Sequence, residues 1–242
     1  MVDKIDPMNI LKHYATLIKY AFRGNQGFYE SREYLATVLI EELEKFINLK
    51  GKKILDIGGE RGEFCKILAQ KCGAKPINLE PGKAAAGDFI WKTVKGSAEK
   101  LPSKSGEFDV VLLRGVLQHI PVKDKLKSLQ EMHRVLKKEG IAYIMIPPWY
   151  SPLSGQELKP FQIFGFPLAK HFSNTILSRK ISAKNLAELG LWPMTVKSTL
   201  KYIDKAGFRV LKTTDILGRM HFLTKIPIIR ELLLSVGFIL RR

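Results

Sequence analysis

Three short stretches carry residue types from which a binding or reacting centre could be built. The first is Asp56-Ile57-Gly58-Gly59-Glu60-Arg61-Gly62, an acid followed by three glycines. Glycine lets a backbone turn sharply and approach a ligand closely. A helical pattern starts directly behind at Glu63, and its first free N–H groups and positive dipole end suit an anionic group. The second is Glu80-Pro81-Gly82, where a lone carboxylate offers enough lone pairs to accept from two hydroxyls. The third is Gly96-Ser97-Ala98-Glu99-Lys100-Leu101-Pro102, a turn rich in side-chain and backbone oxygens. Beyond these, Arg114-Gly115 closes a strongly apolar run, and His119 follows it as a candidate general base. His171 is a second candidate base, and Tyr29, with Tyr34, is a candidate lid residue. The two cysteines, Cys65 and Cys72, lie on one helical stretch about 10 Å apart at ~1.5 Å rise per residue, too far for a disulfide. They have no His or Cys neighbours at ligand spacing, so no metal site is expected.

The elements that must position these residues follow from periodicity. Asn9 to Phe22 and Ser31 to Ile47 have helical spacing and are separated by a Gly24-Asn25-Gln26-Gly27 break. Lys53 to Ile57 reads as a buried strand, Glu63 to Lys71 as a helix and Lys75 to Leu79 as a second strand. Ala84 to Ala86 allows a brief helix, Phe89 to Val94 a third strand and Phe108 to Leu113 a fourth. Val122 to Leu136 is helical, closed by Lys137 to Gly140, and Ile141 to Ile146 is a fifth strand stopped by Pro147-Pro148. Strands alternating with helices, and near-continuous apolar strands, imply right-handed crossovers and a parallel sheet covered on both faces. The rhythm is lost from Trp149 to Pro193, a stretch rich in phenylalanine. A helix returns from Thr195, its N-cap, to Ala206, then a strand from Phe208 to Leu211 and another near Met220 to Leu223. The tail from Ile226 to Leu240 reads as an amphipathic or buried helix.

The dinucleotide fingerprint Gly-x-Gly-x-x-Gly is not met, because Gly58, Gly59 and Gly62 have the wrong spacing. The acid-then-glycine pattern resembles motif I of class I S-adenosylmethionine (SAM)-dependent methyltransferases, with Glu60 at the usual middle glycine. Glu80, the Gly96 to Pro102 segment with Ser97 in place of the usual Asp, and Phe108-Asp109-Val110-Val111 through Leu117-Gln118-His119-Ile120 resemble later motifs in the same order. So does Glu131 to Leu136 before Gly140. The matches span about Lys50 to Pro148 and look like the small-molecule branch. The resemblance implies an α/β Rossmann-like, doubly wound, three-layer fold. Its seven-stranded sheet would be mostly parallel with an antiparallel last strand, and a helical insertion would follow strand five. It implies one domain over 1–242: N-terminal helices or lid 1–49, SAM-binding core 50–148, acceptor-side insertion 149–194, and helix, strands and tail helix 195–242. SAM would be held by Asp56, Gly58, Gly59, Glu60, Gly62, Glu80, Pro81, Ser97, Ala98, Glu99, Arg114, Gly115 and Tyr29, leaving S-adenosylhomocysteine as product. His119 and His171 would face the acceptor.

The chain of 242 residues, 45% apolar and 26% charged, is long enough for one large domain. Its formal net charge of +17 attracts polyanions, phosphorylated metabolites or anionic headgroups. That charge equally suits a solvated lysine-rich surface; it is the resemblance and the phenylalanine-rich insertion that imply a small-molecule or lipid-like acceptor, apolar or anionic. The rival expectations are an RNA methyltransferase and a non-catalytic scaffold of the same fold. The lysines are scattered, and no basic run with interleaved aromatics points to nucleic acid. No signal peptide is visible and two unpaired cysteines suit a reducing, cytoplasmic setting. The C-terminal helix is expected either to make peripheral membrane contact, with Arg241 and Arg242 near headgroups, or to pack on the domain.

Overall fold

The computed structural model describes residues 24–82, 90–152, 154–215 and 221–242. The chain runs α1 (Gly24–Glu44), β1 (Lys53–Ile57), α2 (Glu63–Cys72), β2 (Lys75–Glu80), β3 (Thr93–Lys95), β4 (Phe108–Arg114), α3 (Val122–Val135) and β5 (Leu136–Ile146). It continues through α4 (Phe166–Ile176), α5 (Val196–Lys205), β6 (Arg209–Asp215), α6 (Pro227–Arg230) and β7 (Val236–Arg241). The seven strands form one sheet ordered β3-β2-β1-β4-β5-β7-β6. The first five are parallel, and β7 lies antiparallel between β5 and β6.

Alternation along each strand explains the three layers, since successive side chains point to opposite faces. On β4, Val111 and Leu113 pack with Leu129 and Met132 of α3 and Ile203 of α5. Val110 and Leu112 face the other way, onto Ile40 and Leu43 of α1 and Phe64 and Leu68 of α2. Both faces are covered, as the unbroken apolar run of β4 requires. α5 starts as its sequence predicts: Thr195 accepts from the Ser198 N–H, and Ser198 reciprocates at the Thr195 N–H.

Four expectations are corrected. The tail is not a helix from Ile226 to Leu240; only Pro227–Arg230 is helical, and Val236–Arg241 is the inserted strand β7. The run Val236 to Leu240 is buried on both sides of the sheet, and periodicity alone cannot separate such a strand from a buried helix. The partner of β6 is this β7 rather than Met220 to Leu223, of which residues 221–223 are part of a 3-10 turn. Gly24 to Gly27 is not a break but the first turn of α1. β5 starts at Leu136 rather than Ile141, because Leu136 pairs with Phe108 across an irregularity before the regular ladder resumes at Ile141. The expected helices at Asn9 to Phe22 and Ala84 to Ala86, and Phe89, lie outside the described residues.

Residues 149–193 form a cap with a small core of its own. Leu158, Ala169 and Ile181 are buried together, with Trp149, Phe161 and Phe166 packed against them. The Trp149 N–H donates to Met194 O at 2.8 Å, joining the two ends of the cap, and the Trp192 N–H donates to Gln118 O in the turn after β4 at 2.7 Å.

Candidate functional site

The glycine turn after β1 is fixed by close packing. A Cβ on Gly58, whose φ is +70°, would come 2.4 Å from Val116 Cγ2. One on Gly59 would come 2.4 Å from Asn78 Oδ1 and 2.5 Å from Asp56 Oδ2. Gly62, at φ +88°, would meet Trp91 Cβ at 2.7 Å. Glu60 itself has φ 52°, so the backbone keeps the left-handed turn that a glycine would take there. The Gly58 N–H donates to Leu79 O at 2.8 Å and binds the turn to β2.

Glu80 ends β2 and points at this turn: its Oε1 accepts from the Glu60 N–H at 2.5 Å. Burial raises the carboxyl above its ordinary range, and the Glu60 N–H pulls it back down. Asn78, one turn of the pleat earlier and fully buried, donates to Glu60 O at 2.9 Å and to Thr93 Oγ1 at 3.0 Å. Asn78 thus props the loop from below; it was missed in the sequence because it sits inside a strand with no motif signal.

Asp56 does not open onto the cleft. It is fully buried beneath the turn and pairs with Arg114, Oδ2 to Nη2 at 2.9 Å. Asp56 holds Arg114 protonated against the opposing effect of burial, and the guanidinium lies 3.9 Å from the Phe64 ring centroid. Asp56 occupies Nε and Nη2. Arg114 also borders a cavity of about 210 Å³ whose walls include Gly58, Gly59, Glu60, Glu63 and Leu39. Gly115 follows at φ +65° and donates to Met145 O.

The Ser97-Ala98-Glu99 turn lies beyond β3, beside Glu80, since Glu80 is paired with Lys95 and the Gly96 N–H donates to Glu80 O. Ala98 is buried in the core, Ser97 and Glu99 are half-buried, and Pro81 is exposed. α3 anchors this segment. Glu131 accepts from the Leu101 N–H, and Arg134 donates to Leu101 O and Ser103 O while pairing with Glu131. Thus the ends of β1, β2, β3 and β4 bring the glycine turn, Glu80, Ser97 and Arg114 to one edge. Tyr29 lies in α1, and nothing is described of its side chain.

His119 has both ring nitrogens engaged by the cap. Nδ1 lies 2.8 Å from Gly190 O, and a carbonyl only accepts, so Nδ1 carries the proton. Nε2 then accepts from Gln156 Nε2 at 3.0 Å. Lys125 of α3, fully buried, donates to Leu117 O and Trp192 O, and burial pushes its amine down to about 8. The His119 contacts and the Lys125–Trp192 contact are not visible in the sequence, because their partners come from the cap. His171 is not gathered with these groups. It is exposed on α4, edge-on to Phe172 at 5.7 Å, in a shallow depression with Lys170 and Asn174.

A second cavity, of about 140 Å³, separates cap and sheet; its walls include Gln118, Pro147, Trp149, Lys159, Trp192 and Met194. Gln118 donates from Nε2 to Gly115 O at 2.6 Å, and its buried Oε1 has no hydrogen-bond partner.

A family model described as a methyltransferase domain matches residues 30–213. An uncharacterized methyltransferase of Mycobacteroides abscessus is 28% identical over 91% of this chain and 90% of its own. A ubiquinone biosynthesis O-methyltransferase of Pseudomonas aeruginosa is 30% identical over 42% of this chain and 47% of its own. Among solved structures, a SAM-dependent methyltransferase from Archaeoglobus fulgidus superposes with a TM-score of 0.57 at 16% identity, covering 95% of this chain and all of that one. It shares the fold.

Proposed function

The chain belongs to the methyltransferase domain family, and on that premise we propose that it transfers the methyl group of SAM to a small acceptor seated between sheet and cap. The observation that carries the cofactor reading is the Glu80 carboxylate aimed at the glycine turn. The residues at that edge fit the group. Glu80 would accept from the sugar hydroxyls, Ser97 and Ala98 would meet the base, and Arg114 would face the amino-acid carboxylate. Gly58 and Gly59 let the turn pack against Val116, Asn78 and Asp56, where a Cβ would collide. SAM, when bound, supplies a methyl group already activated on a sulfonium.

What the chain itself must do is align and exclude water. The cap, held by His119, Trp192 and Lys125, closes over the ends of β4 and β5. A cavity of about 140 Å³ between Trp149 and Trp192 is close to the ~150 Å³ that holds one benzene ring. Gln118 Oε1, without a partner, favours an acceptor that brings an O–H or N–H donor on a ring of that size. His119, with Nε2 turned to Gln156, is the candidate to take the acceptor's proton once Gln156 is displaced.

Isothermal titration with SAM and with S-adenosylhomocysteine tests the reading. Glu80→Ala should weaken binding by about 1–3 kcal/mol, the scale of hydrogen bonds to a charged group. No binding of either ligand by the wild type at millimolar concentration, or an undiminished affinity in Glu80→Ala, would overturn it.

A further inference from the structure

Two stretches project beyond the same edge of the sheet as the glycine turn. The cap leaves at the end of β5, and the second stretch is residues 221–235, the described part of the connection from Asp215 of β6 to Val236 of β7. Both Ile146 and Asp215 pair with Val236, so both departures lie at one end. Ten of the thirteen large apolar side chains that stand exposed among the described residues come from these two stretches. A random scatter over the surface would not concentrate them so, and patches of this kind mark interaction sites.

The apolar side chains adjoin one another. Leu168 and Ile176 of α4 are both about half exposed or more, and Phe172 lies between them on the helix, four residues from each. Phe172 is in ring contact with Phe164 at 6.3 Å, and Phe164 is itself 55% exposed beside Ile163. In the second stretch Ile226, Ile228 and Leu232 are exposed, Ile228 to 77%. Tyr150, where the cap begins, shares a shallow groove with Ile228 and Leu232, so the two stretches meet.

Cations stand among these tips. Arg179 and Lys180 follow Ile176 and Leu177 after Ser178, and Lys225 and Arg230 flank Ile226 and Ile228. The cap carries five lysines and arginines against two glutamates. Arg179 donates to the Glu157 and Lys159 carbonyls and Lys170 to those of Ser182 and Ala183, so neither charge is neutralised by these contacts. Glu231 is turned inward, accepting from the Val196 and Lys197 N–H groups at the start of α5. Protruding apolar side chains interleaved with cations match a bilayer with anionic headgroups, where the former enter the acyl boundary and the latter meet phosphate. A protein partner of ordinary interface chemistry would not call for this excess of cations beside the apolar tips.

We propose that this end of the molecule docks on an anionic lipid bilayer, with α4, the Phe164 turn and the Ile226–Leu232 stretch as the contact. Docking itself does not depend on the methyltransferase reading. Delivery of an acceptor from the lipid phase to the cavity beneath the cap does depend on it.

Flotation with phosphatidylcholine vesicles, with and without about 30% phosphatidylglycerol, tests the docking. Wild type should float with the anionic vesicles and not the neutral ones, and raising salt to ~0.5 M should release most of it. Leu168→Glu/Ile176→Glu and, independently, Ile228→Glu/Leu232→Glu should each reduce the bound fraction about tenfold or more, with thermal melting and SAM titration unchanged. No flotation of wild type at low salt, or flotation of both variants equal to that of wild type, would sink the proposal. So would light scattering that finds a dimer dissociated by these variants, or salt-sensitive retention by RNA instead of vesicles. SAM titration is scored separately, so loss of one reading leaves the other standing.

Discussion

Lys125 shows how one residue can tie the chemistry of a site to its scaffold. Its amine is buried with two carbonyls, from Leu117 and Trp192, and no carboxylate is among its hydrogen-bond partners. Its proton is therefore held less tightly in the fold, near pH 8, than at the ordinary 10.5. Between those values the unfolded chain retains a proton that the folded chain has lost. The fold consequently gains stability as pH rises through this window, and the full cost of the buried charge is present below pH 8. Lys125→Met removes the group. Chemical denaturation should show wild type gaining on that variant by up to about 3 kcal/mol from pH 8 to 10.5, at 1.36 kcal/mol per unit. A gap independent of pH would show that Lys125 titrates normally.

At the scale of elements, the glycine turn separates two kinds of glycine requirement. Gly58 needs both its positive φ and the space that Val116 fills. Gly58→Ala should cost about 2 kcal/mol or more, from left-handed strain plus overpacking, and should weaken SAM binding with it. Glu60 already tolerates the left-handed region, with its side chain exposed. Glu60→Gly removes strain but adds unfolded-chain entropy, and thermal melting should place it within about 1 kcal/mol of wild type. A large loss in Glu60→Gly would mean the glutamate side chain holds the turn. The motif departure at this position is thus one of residue type and not of backbone path, a distinction the sequence alone did not permit.

Across the whole molecule, the cap and sheet communicate through His119. If the imidazole serves chiefly to seat the cap, Gln156→Ala and His119→Ala should lower turnover by similar factors, and the double variant by little more than either. If it removes the acceptor's proton, His119→Ala should exceed Gln156→Ala by about 10²–10⁴-fold. Steady-state turnover at saturating SAM, in all three variants, separates the two. The same view of the molecule places Arg241 and Arg242 away from the cleft: Arg241 pairs with Ile141 at the start of β5, and Arg242 donates to Leu136 O. Headgroup contact at the C-terminus is not favoured there, and the bilayer contact proposed above runs instead through the cap and the stretch before β7. Among the described residues no helix is long and apolar enough to cross a membrane.

The sequence by itself determined the parallel half of the sheet, the glycine turn, the acid at the end of β2 and the helix cap at Thr195. Each of these depends on neighbours within a few residues, where periodicity, turn chemistry and capping act. Tertiary structure alone decided the rest. Val236 to Arg241 became a strand because β5 and β6 offered it two unpaired edges, and an apolar run has no helical or extended preference strong enough to resist them. Asp56 became a buried partner for Arg114, 58 residues away, and His119 a clamp for Gly190 and Gln156. Contacts at such separations leave no local trace, since only the folded chain brings their donors and acceptors within hydrogen-bond distance.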